Sequence, residues 1–452
     1  MAGESVSRRR FINYGVTAVV AGVVAGVGGY YAGVASVPPP SAPTTVTVTA
    51  TGPAPPTTVA PPPKREKVRI GRCISRSGAL AGICVHQDRA IWLWEEQCNA
   101  KGGLNVGGQK LPVEEIVYDD RSSLDEAMKF YERLITVDKV DLLMFNYGTF
   151  MAAGLQPLMD KYKMPFVCTT SMPLPDVPTK YEFFVAPSSE SHGVAMAELL
   201  SSVGAKTVGL LVIETLFGAD MRKYFEAELA KKAINIVATH LYPMGVMDLS
   251  APLLDLRAKN PDAVIQLSYP DDALLCTQQM IEINYNPKLF YSALGLLNAD
   301  FTGKFGKARE GICCFGQSFV PAAKHQGVYG NARDWYEAYV KRWGAFPDYT
   351  ESLNPYTGCE VLQQAVEKAG SLDGTAIRDV LARETFDTVA GPVKFGGPNG
   401  AINISDISGV GTTVQWQKQP DPITGDEFTA HVVSPSRLAT AKVIYPKPTW
   451  PK

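Results

Sequence analysis

At 452 residues, with 46% hydrophobic and 19% charged residues, the chain has the composition of a globular protein large enough for two or three ordinary domains. The formal net charge is −2, and setting aside Arg8, Arg9, Arg10 and Glu4, the only charges before Lys64, leaves −4. A mildly acidic globule of this kind has no footprint for nucleic acid.

The first 37 residues read as a targeting segment. "SRRRFI", Ser7 to Ile12, sets arginines before a Phe, and Gly15 to Val37 runs for 23 residues without a charge. The pattern resembles a twin-arginine export signal, whose Gly- and Ala-rich apolar region is only weakly hydrophobic. A stretch of this length also suffices to span a bilayer, with the arginines held inside and the remainder outside. Small residues at Gly33-Val34-Ala35 would suit cleavage, but no cysteine follows to carry a lipid, so an uncleaved membrane anchor is the preferred expectation. Residues 38–66 then form a Pro/Thr-rich stalk. Pro38 to Pro63 holds ten prolines and seven threonines with no charged residue, which gives no core and an extended spacer of at most roughly 80 Å.

From Lys67 strands and helices alternate. "KVRIGRCI" predicts a strand, Gln87 to Ala100 a helix closed by Gly102-Gly103, and "LPVEEIVY" a second strand. Leu124, Ala127, Met128, Tyr131, Leu134 and Ile135 recur at helical spacing. "VDLLMFN", a helix over Phe150–Tyr162 and "MPFVC" complete the first unit. After "YEFFVAP" the pattern restarts with helix Glu190–Ser202, strand "TVGLLVI", helix Phe217–Lys232 and strand "INIVATHL". Helix Leu249–Lys259, strand "DAVIQLS", helix Asp271–Ile283 and strand "KLFYS" follow. Helices around Tyr329–Arg342, Pro355–Ala369 and Thr375–Arg383 come next, and extended pieces including "GTTVQWQK" and "TAHVVS" end the chain. Such alternation implies parallel sheets with helices on both faces, here in two α/β lobes.

In open parallel sheets a ligand sits beyond the carboxyl ends of the strands. In the first unit those ends carry "SRSGAL", "YDDRSS", "NYGTF" and "CTTSMP", each rich in hydroxyls or glycine. Thr169, Thr170 and Ser171, at the end of the apolar run Pro165–Cys168, are therefore expected to line a ligand site rather than only to cap a turn.

Other groups take structural readings. The eight cysteines show no metal-ligand spacing, and Cys73 and Cys168 fall in strands, so most are expected to be small buried residues. Asp119-Asp120, followed by two serines, reads as turn and cap rather than as a catalytic pair. The aromatics of "IWLWEEQ" read as helix packing. His86, His192, His240, His325 and His431 have no partner at ligand or triad spacing, and no nucleophile-elbow, zinc-helix or P-loop motif occurs. No cofactor or metal is expected, and an enzyme, a small-molecule hydrolase, ranks behind a binding protein.

"NAKGGLNVGGQKLPVEEIVYDDRSSLDEAMKFYERLI", "VDLLMFNYGT", "MPFVCTTSMP", "AVEKAGSLDGTAIRDVLARETFDTVAGPVKFG" and the closing "RLATAKVIYPKPTW" resemble the solute-binding receptors of ABC importers for branched-chain amino acids and amides, the type I periplasmic binding proteins. The resemblance runs in order from Lys67 to the C-terminus. It implies two Rossmann-like lobes with parallel sheets, joined by three crossings and closing on a small solute in a hinged interlobe cleft. Lobe 1 would take residues 67–187 plus about 322–392, lobe 2 residues 188–321 plus about 393–440, and a C-terminal tail residues 441–452. By position the resemblance assigns the ligand's polar end to Ser77, to Tyr147, Gly148 and Thr149, and to Thr170 and Ser171. On lobe 2 it assigns Phe217 and Tyr269.

Two departures from the family pattern bear on the ligand. The position that commonly holds an acid for the α-ammonium is here Leu294, and Arg76 stands in the first loop, where many relatives are apolar. An ammonium buried without a counter-charge is costly. Neutral amides and carboxylates are therefore expected to outrank free amino acids, unless Asp271 or Asp272 supplies the missing charge. The expected function is an extracytoplasmic, monomeric receptor that captures a small amino acid, amide or carboxylate and delivers it to an ABC permease. A receptor partnered with a membrane signalling protein is the alternative.

Overall fold

The computed structural model describes residues 65–144, 147–174, 179–316, 325–348, 350–396 and 410–451. The expected targeting segment, and the stalk up to residue 64, lie outside these. Among the described residues no helix is long and apolar enough to cross a membrane.

The first sheet is parallel, in the order β4 (Val113–Asp119), β1 (Val68–Ile74), β5 (Leu142–Met144). A parallel pair, β6 (Phe166–Cys168) with β7 (Glu182–Phe184), forms a separate ladder. Between them run α1 (Ala81–Ala100), α2 (Leu124–Thr136) and α3 (Thr149–Tyr162), and a short hairpin, β2 (Leu104–Val106) with β3 (Gln109–Leu111), precedes β4. Of the apolar stripe read from Leu124 to Ile135, Ala127, Tyr131 and Leu134 are buried, while Met128 is exposed. At the start of that helix Ser123 accepts a hydrogen bond from Glu126 N.

One buried ion cluster ties this unit together. Arg72, fully buried on β1, donates to Asp88 on α1 at 2.5 Å and to Glu115 on β4 at 3.0 and 3.1 Å. A charge so far from water is tolerated only when its donors are met, and both carboxylates meet them.

The second sheet has seven strands in the order β18, β17, β12, β11, β10, β8, β9. From β9 (Asn235–Tyr242) through β8 (Thr207–Ile213), β10 (Ala263–Leu267) and β11 (Phe290–Ser292) to β12 (Cys313–Gly316) the pairing is parallel. β17 (Thr412–Gln417) and β18 (Thr429–Ser434) add to it antiparallel. Its helices are α4 (Ser189–Ser202), α5 (Leu216–Lys231), α6 (Ser250–Lys259), α7 (Pro270–Glu282) and α8 (Ala299–Phe305). Every residue of β10, β11 and β12 is buried, and β10 and β11 accordingly lack the alternation of a half-exposed strand.

Two minor hairpins follow, β13 (Gln326–Gly327) with β14 (Gly330–Asn331) and later β15 (Thr385–Phe386) with β16 (Val393–Lys394). Between them lie α9 (Ala332–Trp343), α10 (Leu353–Ala369) and α11 (Gly374–Arg383). α10 packs on the first unit, where Trp94 Nε1 of α1 donates to Gln363 Oε1 at 2.9 Å. The closing strands β17 and β18 thus join the second sheet, while α10 joins the first.

The differences from expectation have local causes. α1 begins at Ala81 rather than Gln87, and its added first turns bury Ile83 and Cys84 on the same face as Ala90, Ile91 and Trp94. α9 begins at Ala332 rather than Tyr329, because the hairpin takes up Gln326–Asn331 and Asn331 caps the helix by accepting from Arg333 N and Asp334 N. All eight cysteines are buried and unpaired.

Candidate functional site

Where strand ends of the two sheets face one another lies a cavity partly open to solvent, with about 430 Å³ of empty space when the open part is counted. Its wall combines Tyr147, Gly148 and Thr149 after β5 with Thr170, Ser171 and Met172 after β6. From the second unit come Phe217 at the start of α5, Tyr269 after β10, Leu294 after β11, Phe315 on β12 and His192 on α4. Ala186, Pro187 and the segment Thr350, Glu351 and Asn354 complete it.

Local chemistry fixes each contributor. Thr149 opens α3, and its Oγ1 accepts from Met172 N at 3.2 Å, which links the two hydroxyl-rich loops. Gly148 adopts φ +99°, a conformation open to glycine at no steric cost. Thr170 Oγ1 accepts from Gln87 Nε2 of α1 at 3.1 Å. On the opposite wall Gly295 adopts φ +86°, and a Cβ there would lie 2.3 Å from the Cα of Pro270. That glycine lets the Leu294 loop close on the Tyr269–Pro270 turn.

Aromatic rings dominate the second wall. Phe217 and Tyr269 stack at 5.4 Å between centroids, and Tyr147 meets Tyr269 edge-on at 5.9 Å. His192 stacks on Phe315 at 4.3 Å, and neither ring nitrogen has a hydrogen-bond partner. Burial pushes its pKa down to about 3, so the imidazole is neutral.

A closed polar network lies behind those rings. Asp272 accepts from Tyr269 N and Tyr242 Oη at 3.0 Å each, and Gln266 Nε2 donates to the Asp272 carbonyl at 3.0 Å. Burial raises the Asp272 pKa to about 6. This carboxyl is taken up in capping α7.

Of the residues singled out from sequence, Tyr147, Gly148, Thr149, Thr170, Ser171, Phe217, Tyr269 and Leu294 meet at the cavity. Arg76, Ser77 and Asp271 are not among its lining residues. Arg76 pairs with Asp88 at 3.0 Å and lies 5.5 Å from the Trp92 ring centroid. Ser77 Oγ donates to Asp119 Oδ2 at 2.8 Å, and Ser122 Oγ donates to the Ser77 carbonyl at 3.0 Å. The loops after β1 and β4 therefore satisfy one another. Asp119 also accepts from Arg76 N and Arg121 N, and Asp120 from Ser75 Oγ and Ser122 N, which are turn and cap contacts. Asp271 is exposed at the start of α7.

Sequence reasoning missed His192, Phe315, Glu351 and Asn354. Glu351 is the most consequential, a carboxyl only 1% exposed in the cavity wall. Its turn is held by Asp348, whose Oδ1 accepts from Thr350 N at 2.8 Å and Glu351 N at 2.7 Å. Glu351 Oε2 accepts from Gln87 Nε2 at 3.3 Å. Burial, and then the neighbouring Asp348, hold its pKa well above the ordinary carboxyl range.

A family model described as periplasmic binding protein matches residues 67–410. The Leu/Ile/Val-binding protein homolog 7 of Brucella suis biovar 1 (strain 1330) is 24% identical over 345 residues, covering 74% of this chain and 85% of that protein. The Leu/Ile/Val-binding protein homolog 8 of Brucella abortus (strain 2308) is 24% identical over 354 residues with the same coverage. Among solved structures, the solute binding protein of an ABC transporter from Rhodopseudomonas palustris BisB5, in complex with 3,4-dihydroxy benzoic acid, superposes with a TM-score of 0.70 at 18% identity. The match covers 86% of this chain and 99% of that one. The branched-chain amino acid transporter substrate binding protein of Streptococcus pneumoniae, in complex with isoleucine, gives 0.68 at 19% identity, over 82% of this chain and 100% of that one. These two structures share the fold.

Proposed function

The chain belongs to the periplasmic binding protein family, in its type I, branched-chain amino acid branch, and from that premise we propose that it captures a small amino acid, amide or carboxylate in the cavity between its sheets and passes it to an ABC permease. Members of this family bind solutes outside the cytoplasm and are not enzymes.

One observation carries the reading: the cavity joins hydroxyl-bearing strand ends of the first sheet to an aromatic wall on the second. A ligand touching both stabilises the arrangement in which they face each other, by its differential affinity. A solute of about ten heavy atoms at micromolar affinity requires about −8 kcal/mol, within the practical ceiling per atom. We take residues 67–187 with about 322–392 as one lobe and 188–321 with about 393–440 as the other. The packing of α10 on α1 and the pairing of β17 with β12 support that division. The arginine cluster and uncharged run before residue 38 support export by a twin-arginine route, with the stalk holding a monomeric receptor off the membrane.

A thermal-shift screen of amino acids, amides, ureas and aromatic acids tests the proposal. Saturable stabilisation by one class, without turnover on prolonged incubation, is the expected result. Stabilisation by none would refute it.

A further inference from the structure

We propose that Glu351 is the counter-charge for a protonated amine in this cavity, so that the captured solute bears an ammonium group that docks against the segment leading into α10. This rests on the capture reading above and narrows its ligand class.

The lining residues include no Lys or Arg, and Glu351 is the one acidic side chain among them. Among the described residues, the groups that act on it include no cation. Gln87 of α1 donates to it, and the titratable groups within reach of its charge, Cys84, Tyr147, Tyr269 and Cys314, carry no positive charge. The adjacent Asp348 is an acid itself, beside the buried neutral imidazole of His86. A carboxylate ligand would find no cation among the lining residues to balance its charge. An ammonium, by contrast, lets Glu351 ionise.

Acceptors gather at the same place. Glu351 has one donor, at 3.3 Å, where an ionised carboxylate can accept about four hydrogen bonds. Asn354 Oδ1, three residues along in the same wall, is buried and accepts none; Gln87 Oε1, on the side chain that donates to Glu351 but outside the lining residues, accepts none either. An ammonium brings three N–H donors to these groups. The rings of Tyr147, Phe217, Tyr269 and Phe315 line the same cavity and would shield a bound ammonium from water. Asp271 and Asp272 do not compete for the role, because one is exposed and off the wall and the other caps α7.

The test compares matched ligands on the full chain by titration calorimetry: leucine and phenylalanine, their desamino acids 4-methylpentanoate and 3-phenylpropanoate, and the decarboxylated amines. Amine-bearing members should bind at least about 50-fold tighter than the desamino acids. Glu351→Gln, close in shape, should abolish most of that difference. A readout on the unmodified protein covers the case in which the variant does not fold. Because burial holds the Glu351 pKa above the ordinary carboxyl range, binding of the amine, measured in buffers of different ionisation enthalpy, should release protons as the ammonium favours the ionised carboxylate. Tighter binding of the desamino acids, an unchanged preference in Glu351→Gln, or no proton release would each overturn the assignment of Glu351 while leaving solute capture intact. Binding of none of the three sets would overturn the capture reading and this assignment with it.

Discussion

The two walls of the cavity use their polar groups in opposite directions. On the first-sheet side, the loops after β1 and β4 bond to each other, yet those after β5 and β6 carry Thr149, Thr170 and Ser171 to the cavity. On the second-sheet side, Asp272, Tyr242 and Gln266 bond to one another behind the rings, and the surface presented is Phe217, Tyr269, Leu294 and Phe315. A solute between them thus meets hydroxyls on one side and stacking surface on the other. The contrast explains how a wall can be rich in polar residues and still be apolar where it counts, since a buried network that satisfies itself has nothing left for a ligand.

The largest effect is expected on the aromatic wall. Phe217→Ala removes a ring that is 4% exposed and stacked on Tyr269, and should cost about 3–5 kcal/mol in denaturant-measured stability. A cost below about 1 kcal/mol would show that the wall is not packed as described.

The network behind that wall gives a pH signature of about 2–3 kcal/mol. The folded-state pKa of Asp272, at about 6, lies above the ordinary carboxyl value, so the native protein binds the proton more tightly than the unfolded chain. Its contribution is therefore present at low pH and lost as pH rises from about 4 through about 6. Asp272→Asn should flatten stability over that window in unfolding experiments. An unchanged pH profile would assign the titration elsewhere.

Thr170→Val on the hydroxyl wall should weaken ligand binding by about 1–3 kcal/mol with little change in melting temperature, because it leaves a ligand oxygen without its partner. Equal affinity would place the polar end of the solute away from this loop. The smallest effect is expected at Ser77→Ala, where binding should change by less than about 0.5 kcal/mol because Ser77 faces Asp119 rather than the cavity. A larger loss would mean that the first loop turns to the ligand on binding.

Much of this architecture was legible along the chain. Strands such as Thr207–Ile213 announce themselves as apolar runs between amphipathic helices, and the hydroxyl-rich strand ends point to a site by their place in a parallel sheet. β12 and α8 were not read, being short and lacking a period of their own. Glu351 was not read either, because it follows no strand and reaches the cavity only through a turn organised by Asp348. Ser77 and Arg76 show the converse. They stand at a strand end, but Asp119 and Asp88, distant in sequence, occupy them first. The Gly-Gly turn at Gly107-Gly108 carried a usable hairpin signal for β2 and β3.

The claim that both walls act on one solute is tested most directly by small-angle scattering of the full chain with and without the stabilising ligand. The account predicts a smaller radius of gyration at saturation, because contacts to both walls draw the two sheets together. An unchanged radius despite saturation would contradict it.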